Sequence, residues 1–127
     1  MDDPAVGVLI VDDQAPFRLA ASAVVRLTPG FSVVGEAESG EVAVAMVEAL
    51  HPSMVLMDIN MPGMNGIEAT RRITAGFPQV MVLLLSTYQA DDLPADAASS
   101  GYAEYINKDE FGPHVLKDAW DRREHGS

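Results

Sequence analysis

The chain has 127 residues, which suits one compact domain and is too short for two ordinary ones. Hydrophobic residues make up 48% and the formal charge is −11, so the composition excludes disorder and lacks the basic surface that binds nucleic acid or an anionic membrane. The absence of cysteine excludes disulfides, thiolate chemistry and zinc–cysteine sites. With no signal-like leader and no apolar run of membrane-spanning length, we expect a soluble, cytoplasmic protein.

The first half of the chain alternates short apolar runs with stretches of helical spacing. Residues 6–11, VGVLIV, predict a strand, and residues 15–27 predict a helix. A second strand is predicted over 31–36. Residues 39–50 are apolar nearly all round and begin with Ser39, so they predict a packed helix with a serine cap.

The second half continues this alternation. In chain order it predicts a strand over 53–57, a helix over 65–76, a strand over 79–86, a short, weak helix over 91–101, a strand over 102–107 and a closing helix over 110–123. The strands are continuously apolar, which indicates burial on both faces. The predicted fold class is therefore α/β, a single domain with a doubly wound, five-stranded parallel sheet and helices on both faces.

Polar residues follow four of the five predicted strands. In such sheets ligands bind beyond the carboxyl ends of the strands, so these residues should gather at one edge. They are Asp12 and Asp13 after the first strand, Asp58 after the third, Ser86 and Thr87 after the fourth, and Asn107 and Lys108 after the fifth. Each is weak evidence alone, because such residues are commonly turn or cap residues. Their convergence at one edge makes them a candidate site.

The residue types at this edge suit phosphoryl chemistry. Clustered carboxylates repel one another unless a cation is present, and oxygen ligands at an open rim favour a hard ion such as Mg²⁺. Lys108 supplies a positive charge for phosphate, and Ser86 or Thr87 supplies a hydroxyl donor. A carboxylate beside the metal can act as a nucleophile and form an aspartyl phosphate.

Four segments resemble the CheY-like receiver domain of two-component response regulators, in the family's order and at its intervals. They are VLIVDDQ, VLMDINMPGMNGIEATRRI, VLLLST and YINKD. The resemblance runs from about Val6 to Trp120 and implies a flavodoxin-like (βα)5 fold. It also implies a receiver domain over 1–127, with a core of about 6–122, and places any C-terminal DNA-binding effector domain outside this chain.

The resemblance assigns a role to each acid. Asp58 resembles the phosphoacceptor, Asp13 the direct ligand of Mg²⁺ (or Mn²⁺), and Asp12 its water-mediated companion. The backbone carbonyl of Asn60 resembles the third protein ligand. The turn at Pro62 and Gly63 would leave room for the phosphoryl group and the metal.

The resemblance also implies a switch. Ser86 resembles the hydroxyl that moves toward the phosphoryl group, Lys108 the lysine that contacts it, and Tyr105 the aromatic that turns inward on activation. Thr87 and Tyr88 flank the position that tunes hydrolysis of the phosphoaspartate. Asp109 follows Lys108 where proline is commonest, which leaves open whether that peptide bond is cis.

The segments LLLSTYQADD and INKDEF are similar to the NarL/FixJ subfamily, whose receivers precede a LuxR-type helix-turn-helix domain. The implied partner is a sensor histidine kinase, docking against the first helix. Dimerisation is expected through the fourth helix, fifth strand and fifth helix, or through the first and fifth helices. No direct nucleic-acid or membrane binding is expected, and no enzyme activity beyond the domain's own phosphorylation and dephosphorylation.

Three alternatives remain open at this point. An aspartate-nucleophile phosphohydrolase would need a second acid two residues after the nucleophile, where this chain has Asn60. A flavin phosphate site would need a hydroxyl- and glycine-rich loop after the first strand, where the sequence reads DDQAP. The third is a receiver-like interaction module that acts without phosphorylation.

Overall fold

A five-stranded parallel sheet forms the centre of the computed structural model, which describes residues 5–87 and 93–125. Its strands are β1 (Val6–Val11), β2 (Phe31–Ala37), β3 (Met54–Asp58), β4 (Met81–Ser86) and β5 (Glu104–Asn107). Their order in the sheet is β2-β1-β3-β4-β5. The order reverses between β1 and β3, which is where a doubly wound sheet opens a crevice at its carboxyl edge.

Within the described residues, four α-helices pack on the two faces of the sheet. They are α1 (Ala15–Arg26), α2 (Gly40–Leu50), α3 (Gly66–Gly76) and α4 (Pro113–His125). The side chain of Ser39 accepts a hydrogen bond from the Val42 N–H at 3.1 Å, which confirms the predicted cap of α2. Among the described residues, no helix combines the length and the apolar character that crossing a membrane requires. The predicted fold class is confirmed.

Alternate residues of the strands face opposite layers of the core, as burial on both faces requires. One layer joins the sheet to α2 and α3, through side chains such as Val11, Val47, Met57, Ile67 and Leu84. The other layer joins the sheet to α1 and α4, through side chains such as Ile10, Val25, Leu56, Leu85 and Leu116. The polar residues that follow β1, β3, β4 and β5 therefore stand on a rigid, apolar base.

The predicted fourth helix differs in the structure. Within residues 93–101 the chain forms a 3-10 helix, Ala95–Ser99, which Pro94 precedes with φ of −55° and ψ of 144°. Ala97 is the only residue of that short helix that is buried, so little apolar area is available to stabilise a longer α-helix. The strands predicted over 79–86 and 102–107 also begin later, at Met81 and Glu104.

Two glycines allow close contacts at the two ends of α3. A Cβ atom at Gly66, the first residue of α3, would lie 2.0 Å from the backbone oxygen of Asp58. Gly101, with φ of +90°, lies against Thr74 near the other end, where the Thr74 hydroxyl donates to the Ser100 carbonyl at 2.7 Å. The position of α3 against β3 therefore depends on the missing side chain at residue 66.

Gly66→Ala should destabilise the fold by about 2 kcal/mol or more, because the added methyl group meets backbone that cannot rotate away. Gly76→Ala is the matched control, since nothing lies within 4 Å of a Cβ there. We expect the control to equal or exceed the stability of the wild type, by up to about 1 kcal/mol. Urea unfolding followed by circular dichroism measures both variants, and equal stability of the two would contradict the close contact.

Candidate functional site

Three carboxylates meet where β1 and β3 end. Asp12 and Asp13 directly follow β1, and Asp58 is the last residue of β3. One carboxylate oxygen from each lies within 4.8 Å of the others. Asp12 and Asp58 are buried, at 0% and 4% exposure, while Asp13 is half-buried. The predicted acidic cluster is thus present, with one member open to solvent.

Lys108 brings a positive charge into this cluster from the end of β5, which is an edge strand of the sheet. It begins the 3-10 helix Lys108–Glu110 that follows β5. Its ammonium nitrogen lies 2.7 Å from Oδ2 of Asp12 and 3.1 Å from Oδ1 of Asp58. The Phe17 ring of α1 packs beneath it, with its centroid 4.4 Å from Nζ. One lysine therefore bridges the ends of β1 and β3.

The hydroxyl residues and the tyrosine predicted for the switch lie along the neighbouring strands. Ser86 ends β4 and is buried, and Thr87 follows it in an exposed position. The Tyr105 hydroxyl of β5 donates a hydrogen bond to the Ser86 backbone carbonyl at 3.1 Å. Tyr88, assigned beside Thr87, lies outside the described residues.

The chain turns sharply after Asp58. The Ile59 N–H donates to the Leu85 carbonyl at 3.1 Å, which continues the pairing with β4 for one more residue. Gly63 then adopts a φ of +74°, a conformation that glycine reaches without strain, and the Met64 N–H donates to the Glu41 carboxylate at 3.3 Å. Asn60, the predicted carbonyl ligand, is exposed on this loop. No described peptide bond is cis, the Lys108–Asp109 bond included.

Charge repulsion and burial act together on Asp58. Burial raises the pKa of its carboxyl group most, the Asp12 carboxylate raises it further, and Lys108 opposes both, so that the pKa reaches about 6. Burial lowers the pKa of Lys108, but its hydrogen bond to Asp12 and the charges of Asp58 and Asp12 outweigh burial, so the net shift is upward. Lys108 therefore stays charged, whereas Asp58 is only partly ionised near pH 6.

The donor set fits a hard divalent cation. Three carboxylate oxygens within 4.8 Å of one another form an oxygen-only site, and a single lysine, Lys108, faces these three acids. A divalent ion would relieve the remaining repulsion, and the half-buried Asp13 leaves an open side for water or phosphate oxygens.

Two residues of α1 belong to this site although no sequence motif singled them out. The Phe17 ring contacts the Lys108 ammonium group. Arg18 donates from Nη1 to the backbone carbonyl of Asp12 at 2.7 Å. The sequence contains one indication that these residues are near the site. They lie in the first turn of α1, which begins three residues after Asp12.

Comparisons with known proteins agree with this arrangement. The sequence profile described as "Response regulator receiver domain" matches residues 8–120. The transcriptional regulatory protein DegU of Brevibacillus brevis is 36% identical over 109 residues, which cover 86% of this chain and 46% of DegU. The response regulator UvrY of Escherichia coli O157:H7 is 38% identical over 103 residues, which cover 81% of this chain and 47% of UvrY. The chain thus spans about half the length of these curated relatives.

Solved structures of response regulators have the same fold as this chain. The receiver domain of NarL from Mycobacterium tuberculosis superposes with a TM-score of 0.85 at 28% identity, covering 94% of this chain and 96% of that domain. A LuxR-family response regulator from Aurantimonas sp. SI85-9A1 superposes with a TM-score of 0.84 at 28% identity, covering 96% of this chain and 86% of that one.

Stability should depend on the ionisation of Asp58. Its pKa of about 6 in the folded protein lies above its ordinary value of 3.8, so the neutral form favours folding. This contribution is complete below about pH 4 and is lost as the pH rises through 6. The difference of about two pKa units corresponds to about 3 kcal/mol. Asp58→Asn should therefore exceed the wild type in stability above pH 6 by up to that amount, and equal it near pH 4.

Urea unfolding in EDTA between pH 4 and pH 8 measures this difference. Asp118→Asn on α4, an exposed site, is the control and should follow the wild type at every pH. A stability difference between wild type and Asp58→Asn that stays constant with pH would contradict the raised pKa.

Proposed function

The chain belongs to the response regulator receiver domain family, and from this premise we propose that Asp58 is its phosphoacceptor and that a sensor histidine kinase is the donor. One observation carries the proposal. A buried carboxylate at the end of a central strand lies beside two further carboxylates and a lysine that bridges it to one of them. This arrangement combines a fixed nucleophile with charges of both signs, which phosphoryl transfer requires.

The transfer step follows from these positions. An Oδ atom of Asp58 attacks phosphorus, a P–O bond forms, and the P–N bond of the donor phosphohistidine breaks with its electron pair retained by the imidazole. Lys108, already 3.1 Å from Oδ1 of Asp58, can then pair with a phosphoryl oxygen. The rigid strand beneath Asp58 keeps the nucleophile oriented.

Mg²⁺, or Mn²⁺, would be held by Asp12, Asp13, Asp58 and the backbone carbonyl of Asn60. When bound, the ion neutralises charge that develops on the phosphoryl oxygens. Asp12 is tied to Lys108 and to the Gln14 N–H at 2.8 Å, so its carboxylate is already oriented. Asp13 is half-buried, so an ion that arrives from solvent could reach it.

The response to phosphorylation is proposed to pass through β4 and β5. The Ser86 hydroxyl would move to a phosphoryl oxygen, and the Tyr105 ring would turn inward behind it. The present hydrogen bond from Tyr105 to the Ser86 carbonyl joins the two strands where this movement would occur. Thr87, exposed beside Ser86, would contribute to the rate at which water reaches the phosphoaspartate.

The output is proposed from the relatives. DegU is a transcriptional regulatory protein, and the Aurantimonas regulator is of the LuxR family, so a transcriptional output domain fits this receiver best. We propose that the domain works in the cytoplasm and docks its kinase beside α1. Dimerisation is proposed through the 3-10 helix Ala95–Ser99, which takes the place of the predicted fourth helix, together with β5 and α4. The other proposed surface is formed by α1 and α4, where α4 is the predicted fifth helix. The phosphorylation-independent alternative is not favoured, because the acids, the lysine and the hydroxyl are all retained.

Asp58→Asn should abolish phosphoryl uptake. Intact mass spectrometry after incubation with acetyl phosphate and Mg²⁺ should show the gain of one phosphoryl group on the wild type and none on the variant, because the amide is not a comparable nucleophile. Asp118→Asn should match the wild type. Uptake by Asp58→Asn at the wild-type rate would refute the assignment, and no uptake by a wild type that binds Mg²⁺ would favour the phosphorylation-independent module.

Asp13→Asn should remove most of the stabilisation that Mg²⁺ gives. At a concentration of one hundred times Kd, a ligand of the folded state adds about 2.7 kcal/mol, which raises the melting temperature of a domain of this size by several degrees. Thermal unfolding with and without MgCl2 measures the shift. Asp109→Asn, an exposed acid next to Lys108, is the control and should keep the full shift. An unchanged shift in Asp13→Asn would exclude Asp13 as a ligand.

A further inference from the structure

The Arg18 side chain joins α1 to the ends of two strands. Nη1 donates to the backbone carbonyl of Asp12 at 2.7 Å, and Nε lies 3.4 Å from Oε1 of Glu36 in β2. The side chain is 19% exposed, so most of it is withdrawn from water. Its interaction with Asp12 is with the main chain and not with the carboxylate.

The carbonyl of Asp12 belongs to the peptide group that leads into Asp13. Because a peptide group is planar, holding that carbonyl also fixes the N–H and the Cα of Asp13. The Asp12 side chain has its own restraints, from the Gln14 N–H at 2.8 Å and from Lys108 at 2.7 Å. Among the described residues, the Asp13 carboxylate accepts one hydrogen bond, a long one of 3.4 Å from the side chain of Gln14. Asp13 therefore depends on its backbone for its orientation.

We propose that Arg18 is a positioning residue for the cation site, which orients the Asp13 carboxylate by holding the Asp12–Asp13 peptide group. The inference rests on the proposed function, since it concerns the same cation site. Groups that orient metal ligands in this way typically contribute a factor of about 10 to 100 in metal affinity.

Charge and position make opposite predictions for Arg18. A guanidinium so close to the acidic cluster repels a divalent cation, so its loss should tighten Mg²⁺ binding if charge alone mattered. If Arg18 positions Asp13, its loss should weaken Mg²⁺ binding in spite of the removed positive charge. The direction of the change therefore separates the two roles.

Arg18→Met tests the proposal, because methionine keeps an unbranched stem and removes both the charge and the donors. Titration calorimetry with MgCl2 should show Mg²⁺ affinity lowered roughly tenfold or more. Glu36→Gln is the matched control. It removes the ion pair of Arg18 and leaves the donor to Asp12, so its affinity should stay close to that of the wild type. Arg18→Gln, whose shorter side chain also loses the contact, gives the same reading if Arg18→Met fails to fold.

Phosphorylation by acetyl phosphate at increasing MgCl2 gives a second readout. The half-saturating Mg²⁺ concentration should rise by the same factor in Arg18→Met, while the limiting rate stays near that of the wild type. General damage to the fold would lower the limiting rate instead. Equal or tighter Mg²⁺ binding by folded Arg18→Met would overturn the inference, whereas absence of Mg²⁺ binding by the wild type would overturn the proposed function itself.

Discussion

The structure around the site depends on one ammonium group placed between two buried carboxylates. Asp12 and Asp58 stand side by side at the ends of β1 and β3, where neither can reach bulk water freely. Without a positive charge between them, burial and mutual repulsion would destabilise the two charged carboxylates. The Lys108 ammonium nitrogen lies 2.7 Å from Oδ2 of Asp12 and 3.1 Å from Oδ1 of Asp58. These two carboxylates raise the pKa of Lys108 in spite of its burial. Its charge keeps Asp12 and Asp58 close without removing all of the excess negative charge.

The parallel sheet makes this placement possible over a long sequence distance. Asp12 and Lys108 are 96 residues apart, yet both follow strands that end at the same edge. Phe17 supports the lysine from below and Arg18 holds the adjacent peptide, so the first turn of α1 contributes to both sides of the cluster. The helix that supports the site is also the proposed kinase-docking element.

The sequence predicted the parts of the site that follow from topology. The proximity of Asp12, Asp58 and Lys108 could be predicted because each follows an apolar run and parallel strands end at one edge of the sheet. The contacts of Phe17 and Arg18 could not be predicted, since they depend on the crossing of α1 over β1 and on side-chain rotamers that periodicity does not encode. The 3-10 helix Ala95–Ser99 was predicted as a weak α-helix because its composition suits either form, and tertiary burial decides between them.

The close contacts at the two ends of α3 have a mechanical consequence. At Gly66 the helix abuts the main chain of Asp58 with no space for a methyl group, and near its other end Thr74 is hydrogen-bonded to Ser100 and pressed against Gly101. These contacts leave α3 little freedom to shift relative to β3 at one end or to residues 100–101 near the other. A displacement of the Asp58 backbone would therefore move α3 as a unit, and with it the contact at Thr74, which lies eight residues or about 12 Å along the helix at 1.5 Å per residue, beside the segment that precedes β5.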